Sequence, residues 1–129
     1  MSLLFLSSYT AAQETKKTYE EGDPQVIGLL MYADWCKSCK VLEPKLNDVK
    51  REFEGKGIFF TRFDMTDDFT IEQSSLYASW VGLEDIFRDN EGRTGYMLLI
   101  EPTSKKVLAK LVKTQSTDEI RNSIQATLK

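Results

Sequence analysis

Apolar residues cluster along this chain in a pattern that predicts most of its elements. Val26-Ile27-Gly28-Leu29-Leu30-Met31-Tyr32 is almost continuously apolar and follows the turn-forming Glu21-Gly22-Asp23-Pro24. Such a run predicts a strand buried on both faces. Leu42, Leu46, Val49 and Phe53 then recur at helical spacing with Lys and Glu between them, which predicts an amphipathic helix ending near Gly55 and Gly57. Residues 58–65 (IFFTRFDM) form the next predicted strand, and two strands joined by one helix imply a parallel pair. Thr70-Ile71-Glu72-Gln73 has the form of a capping box, so a helix is expected to start there and run to about Trp80. A further helical turn is expected over residues 83–87 and a turn over Asp89-Asn90-Glu91-Gly92. Tyr96–Ile100 and Val107–Val112 read as two strands joined at Pro102-Thr103-Ser104-Lys105. Ser116 and Glu119 cap a last helix carrying Ile120, Ile124 and Leu128 on one face. The order defines an α/β protein, a central mixed β-sheet flanked by helices.

Composition narrows the function. The 129 residues are the length of one domain, and a 41% apolar fraction can supply a core. A net charge of −3 argues against nucleic acid or an anionic membrane as the main partner. No apolar run approaches the about 18 residues needed to span a bilayer. The first twelve residues, MSLLFLSSYTAA, have two readings: a remnant of a secretory signal, or a first β-strand. Residues 13–129 are assigned to the domain proper. There is no histidine, which removes the commonest general base and excludes Cys-His catalysis and a Cys2His2 zinc site.

The only two cysteines, Cys36 and Cys39, lie in Tyr32-Ala33-Asp34-Trp35-Cys36-Lys37-Ser38-Cys39-Lys40, between the first predicted strand and the helix that follows. Two thiols at this spacing can close a disulfide across the first helical turn. The first would sit at the helix N-terminus, where free amide N–H groups and the helix dipole favour thiolate. The second would be placed to attack a mixed disulfide. Lys37 and Lys40 add positive charge nearby. Zinc would need two more ligands, and neither Cys nor His remains to supply them, so no metal is expected. An inert structural disulfide and a metal pair shared between two chains remain the alternatives.

The wording Tyr-Ala-Asp-Trp-Cys-x-x-Cys-Lys, after a buried strand and before an amphipathic helix, resembles the active site of the thioredoxin superfamily. It is most similar to the C-terminal domain of the thiol-disulfide interchange proteins. Pro44 stands where the family has a helix-kinking proline, and the resemblance covers about residues 25–129. It implies a thioredoxin-like fold with Cys36 as nucleophile and Cys39 as resolving thiol, Trp35 as a partly exposed lid, Asp34 facing solvent or capping the helix, and Lys37-Ser38 tuning the pair. Three departures matter. Leu30 stands where the family commonly has a buried Asp that accepts the second thiol's proton, and Arg62 lies near the position of that Asp's lysine partner. Pro102-Thr103 copies the family's cis-proline dipeptide, but the polar Ser104-Lys105-Lys106 that follows cannot be the buried strand. The corresponding site is therefore Thr94-Gly95, with a trans bond expected there. The stretch between the second helix and that loop is long, and its Glu84, Asp85, Arg88 and Asp89 are candidates for a partner-selecting rim or for a solvated surface.

The resemblance implies a protein disulfide reductase that needs no cofactor, acting as a monomer on disulfide-bearing proteins and recharged by an upstream thiol donor. It places the protein in the periplasm or otherwise exported, with the cytoplasm as the alternative. The rival from another class is a thioredoxin-fold binding module with a structural disulfide or metal-binding cysteine pair.

Overall fold

The computed structural model describes residues 24–129. The two readings of residues 1–12 therefore fall outside the described residues. Strand β1 (Val26–Tyr32) leads through a short loop into helix α1 (Lys37–Lys50), a 3-10 turn over Arg51–Phe53, and strand β2 (Ile58–Asp64). Helices α2 (Asp68–Val81) and α3 (Glu84–Asn90), strands β3 (Tyr96–Ile100) and β4 (Val107–Val112), and helix α4 (Thr117–Thr127) follow. The sheet order is β2-β1-β3-β4, with β1 parallel to β2 and antiparallel to β3, and β4 antiparallel to β3. As the apolar runs predict, β1 and β3 are the inner strands and are buried almost throughout.

Alternation along β1 divides the core into two layers. Ile27, Leu29 and Met31 face α2 and α3, together with Phe63, Ala78, Ile86 and Phe87. Val26 and Leu30 face α1 and α4, together with Leu42, Leu46, Ile120 and Ile124. The result is a helix–sheet–helix sandwich with the cysteines at the C-terminal end of β1. No helix among the described residues is long and apolar enough to cross a membrane.

Several boundaries differ from the sequence reading. Helix α2 begins two residues before Thr70, because Asp67 is its N-cap. The Asp67 carboxylate accepts the Thr70 N–H at 2.8 Å and the Thr70 hydroxyl accepts the Asp67 N–H at 2.9 Å. This is a reciprocal box with Thr in place of the usual Glu or Gln. The helix stops at Gly82, whose φ of 76° is the left-handed conformation open to glycine. Helix α1 ends at Lys50, earlier than Gly55, and the 3-10 turn then buries Phe53. Helix α3 runs through Asn90 into the predicted turn, since the Asn90 amide donates to the Ile86 carbonyl at 2.7 Å and accepts from the Tyr96 hydroxyl at 2.6 Å. Leu128 lies just past α4 as its extended C-cap.

Ser74 is a buried polar residue in α2. Its hydroxyl accepts the Asp64 N–H at 2.9 Å and donates to the Asp64 carbonyl at 3.0 Å. Ser74→Ala strands both backbone groups, and chemical denaturation should show a loss of about 1–3 kcal/mol.

Candidate functional site

Cys36 is the N-cap of α1, with extended backbone at φ −78° and ψ 108°. Its sulfur accepts the Cys39 N–H at 3.2 Å, so it occupies the place that a Ser or Asp oxygen takes in an ordinary cap. Cys39 lies one turn inside α1, and its thiol reaches the Met31 carbonyl at 3.5 Å. Both cysteines are free thiols. Cys36 is 4% exposed and Cys39 1%, so both thiols are buried, Cys36 the less deeply.

The two thiols are driven apart in acidity. Burial works against ionising Cys36, but hydrogen bonds outweigh it. They come from the Cys39 thiol, the Thr94 hydroxyl and the N–H groups of Cys39 and Ser38, and together they hold Cys36 below its ordinary 9.0. Lys37 and Lys40 are exposed, so the expected help from their charge gives way to these donors as the cause. Cys39 is pushed up to about 11, first by burial and then by its bond to Cys36, against a smaller opposing pull from the amides of Ala33 and Gly95. Thiolate absorbance should rise in two macroscopic steps, the first below pH 9 and the second near pH 11. Iodoacetamide at neutral pH should modify Cys36 and spare Cys39, which a peptide map checks.

The loop before β3 closes the site. Gly95 donates its N–H to the Met31 carbonyl at 2.8 Å, which makes Met31 the shared acceptor for this loop and for Cys39. Gly95 has a φ of 97°, and a Cβ there would lie 2.6 Å from the Ser38 Cβ and 3.4 Å from the Cys36 sulfur. Glycine is thus the residue that lets this backbone rest on the cysteine turn. The Thr94–Gly95 bond is trans, as expected. Pro102 lies in the turn between β3 and β4, away from this loop in the chain, as the polarity of its neighbours predicts.

Thr66 was not visible as a site residue. Its hydroxyl accepts the Asp34 N–H at 3.0 Å and donates to the Asp64 carboxylate at 2.5 Å, and its carbonyl accepts the Trp35 indole N–H at 3.0 Å. It ties the Asp34-Trp35 loop to the start of α2. The signal is a lone Thr in Met65-Thr66-Asp67, which carries no motif. Trp35 remains 57% exposed, anchored by its nitrogen. Asp34 is exposed, and the cap itself is Cys36. Leu30 is buried and pairs in register with Arg62, whose guanidinium stacks 4.1 Å above the Tyr32 ring. The loose placement of Arg62 next to Leu30 is thus met by the sheet register. Glu84, Asp85, Arg88 and Asp89 form the exposed side of α3, with an Asp85–Arg88 ion pair at 3.3 Å.

A mixed sheet between helical layers, with a Cys-x-x-Cys turn where the inner strand passes into a helix, is the thioredoxin-like fold. The thioredoxin family's sequence model matches residues 10–76, and the chain belongs to that family. Thioredoxin-T of Drosophila melanogaster is 29% identical over 51 residues, covering 39% of this chain and 32% of that protein. The chain thus aligns with about a third of that curated relative's length. A thioredoxin-family thiol:disulfide interchange protein from Chlorobium tepidum shares 17% identity, with a TM-score of 0.55 and 81% of each chain covered. The thioredoxin domain of a thiol-disulfide oxidoreductase from Bacteroides vulgatus shares 18%, with a TM-score of 0.54 over 83% of this chain and 81% of that one. At these identities the structural likeness shows the fold.

Proposed function

We propose that this protein is a thiol-disulfide oxidoreductase that reduces or exchanges disulfides in partner proteins through Cys36 and Cys39. The observation that carries the reading is the capped Cys36 sulfur. It accepts an amide at a helix N-terminus and has a second thiol within bonding reach. Cys36 thiolate attacks a client S–S bond, and one client sulfur leaves as a thiolate and takes up a proton. Cys39 then loses its proton and attacks the Cys36 sulfur. The second client thiolate departs and a Cys36–Cys39 disulfide remains. Two electrons have passed to the client, and an upstream dithiol restores the pair.

Insulin reduction with dithiothreitol as donor should show turnover that vanishes in Cys36→Ser. Cys39→Ser should accumulate mixed disulfides that non-reducing gels reveal and thiol treatment releases. A binding module with an inert pair would hold its partners equally in both variants, and that result would remove the redox reading. The likeness of the Tyr-Ala-Asp-Trp-Cys motif to interchange proteins supports an exported, periplasmic site of action. Fractionation of the full chain that finds it in the cytoplasm alone counts against that location.

A further inference from the structure

Among the described residues, helix α2 has one face that none of them covers. Phe69, Leu76 and Trp80 are 67%, 60% and 88% exposed. They stand at i, i+7 and i+11, so all three point within about 20° of one direction around the helix. The stripe is about 16 Å long at the helical rise. Its near end adjoins the reactive turn, because Trp35, itself exposed, is bonded to the Thr66 carbonyl one residue before the Asp67 cap. A row of exposed apolar side chains, interrupted by the exposed Gln73, therefore runs from the end of α2 nearest Trp35 along the helix, and exposed apolar surface of this kind marks a binding site.

Charge decides among occupants. Between Arg62 and Arg88 the chain has no basic residue, whereas Asp64, Asp67, Asp68, Glu72, Glu84 and Asp85 all fall there. Asp67, Asp68 and Glu72 are exposed beside the stripe. Lys105 places a positive charge at the far end near Gly82, its ammonium donating to the Pro102 carbonyl at 2.5 Å, so the acidic border belongs to the near half of the stripe. A second copy would set acidic borders against each other. Residues 1–23 carry four acidic residues against two lysines, so they are no better matched. A segment with apolar side chains and Lys or Arg among them satisfies both features.

We propose that this face docks the apolar, basic stretch flanking a client's disulfide, so that specificity is read along α2 while chemistry proceeds at Cys36. The proposal rests on the thiol-disulfide reading above. Two disulfide-bearing peptides test it, one with Leu, Phe and Lys around the disulfide and one with Ser, Gly and Glu. A fluorescein-labelled, cysteine-free copy of the first reports binding by anisotropy. Leu76→Ser/Trp80→Ser should raise KM for the first peptide about tenfold and weaken anisotropy binding to match. It should leave kcat and the second peptide's kinetics unchanged. Val107→Ser, an exposed apolar position on β4, should change none of these. Unaltered KM and binding in the double variant overturn the proposal. So does a dimer that the double variant dissolves, or a Trp80 shielded from N-bromosuccinimide in the free full chain. If the labelled peptide binds the wild type and not the double variant while no peptide is reduced, the docking face stands and the reductase reading falls.

Discussion

Gly95→Val is expected to cost about 2–6 kcal/mol of stability, the sum of backbone strain and overpacking. It should also slow client reduction by about two orders of magnitude, as a misplaced reacting group does. Two independent facts drive this. A φ of 97° lies where a β-branched residue is disfavoured. The new side chain would also enter at 2.6 Å from the Ser38 Cβ, and relief would have to move the Cys36–Cys39 turn or break the Gly95–Met31 bond. Losing that bond frees the neighbouring Thr94 hydroxyl from Cys36 and raises the Cys36 thiol. Thermal unfolding with the thiolate titration checks both parts. A variant that unfolds like the wild type with an unshifted first titration step would show that this loop does not shape the site. Gly95→Ala should move in the same direction by less, because it keeps the clash but drops the β-branch.

The elements that were legible in the sequence are those whose residues carry one period. The unbroken apolar run of β1, the helical spacing of Leu42, Leu46 and Val49 in α1 and the Ser116–Glu119 box each reflect local chemistry. The Asp67–Thr70 box was missed because a Thr hydroxyl, a shorter group than the usual Glu, closes it. The end of α3 was missed because Asn90, a turn former by composition, is held by Tyr96 from another element. At the site the same division holds. Cys36 at the helix N-terminus, Cys39 one turn inside and Thr94-Gly95 opposite them follow from spacing and from family resemblance, whereas Cys36 rather than Asp34 as the cap does not. Thr66 and the Met31 carbonyl do not, because their roles arise only when the ends of β1, β2 and β3 meet. The source of Cys36 acidity was legible in part, because the N–H groups of Ser38 and Cys39 at the start of α1 contribute as expected. Lys37 and Lys40 are conspicuous in the sequence but exposed, whereas the Thr94 hydroxyl comes from far along the chain.

Leu30→Asp should accelerate resolution of the mixed disulfide at pH 7 by about 10²-fold, the low end of general-base catalysis, while costing about 3–5 kcal/mol of stability as a buried charge. Leu30 lies in the core layer against α1, the helix that carries Cys39. With Cys39 pushed up to about 11, only about one thiol in ten thousand is ionised at pH 7. In the mixed disulfide the Cys36 contribution disappears but burial, the larger cause, persists. The sign follows: the wild-type resolving rate should climb with pH through the alkaline range, because the reactive species is the thiolate. A carboxylate at position 30 would take the proton locally and flatten that slope near neutrality, with Arg62 in register beside it as the available counter-charge. Leu30→Asn separates base from cavity, since it buries a polar group of similar size that accepts no proton. Stopped-flow resolution of a Cys36-linked peptide, followed from pH 6 to 10 in all three proteins, gives the comparison. Equal slopes in the Asp and Asn variants would mean that the Cys39 proton already has an outlet, and the released client thiolate, set free beside Cys36 in the preceding step, would be the base to examine.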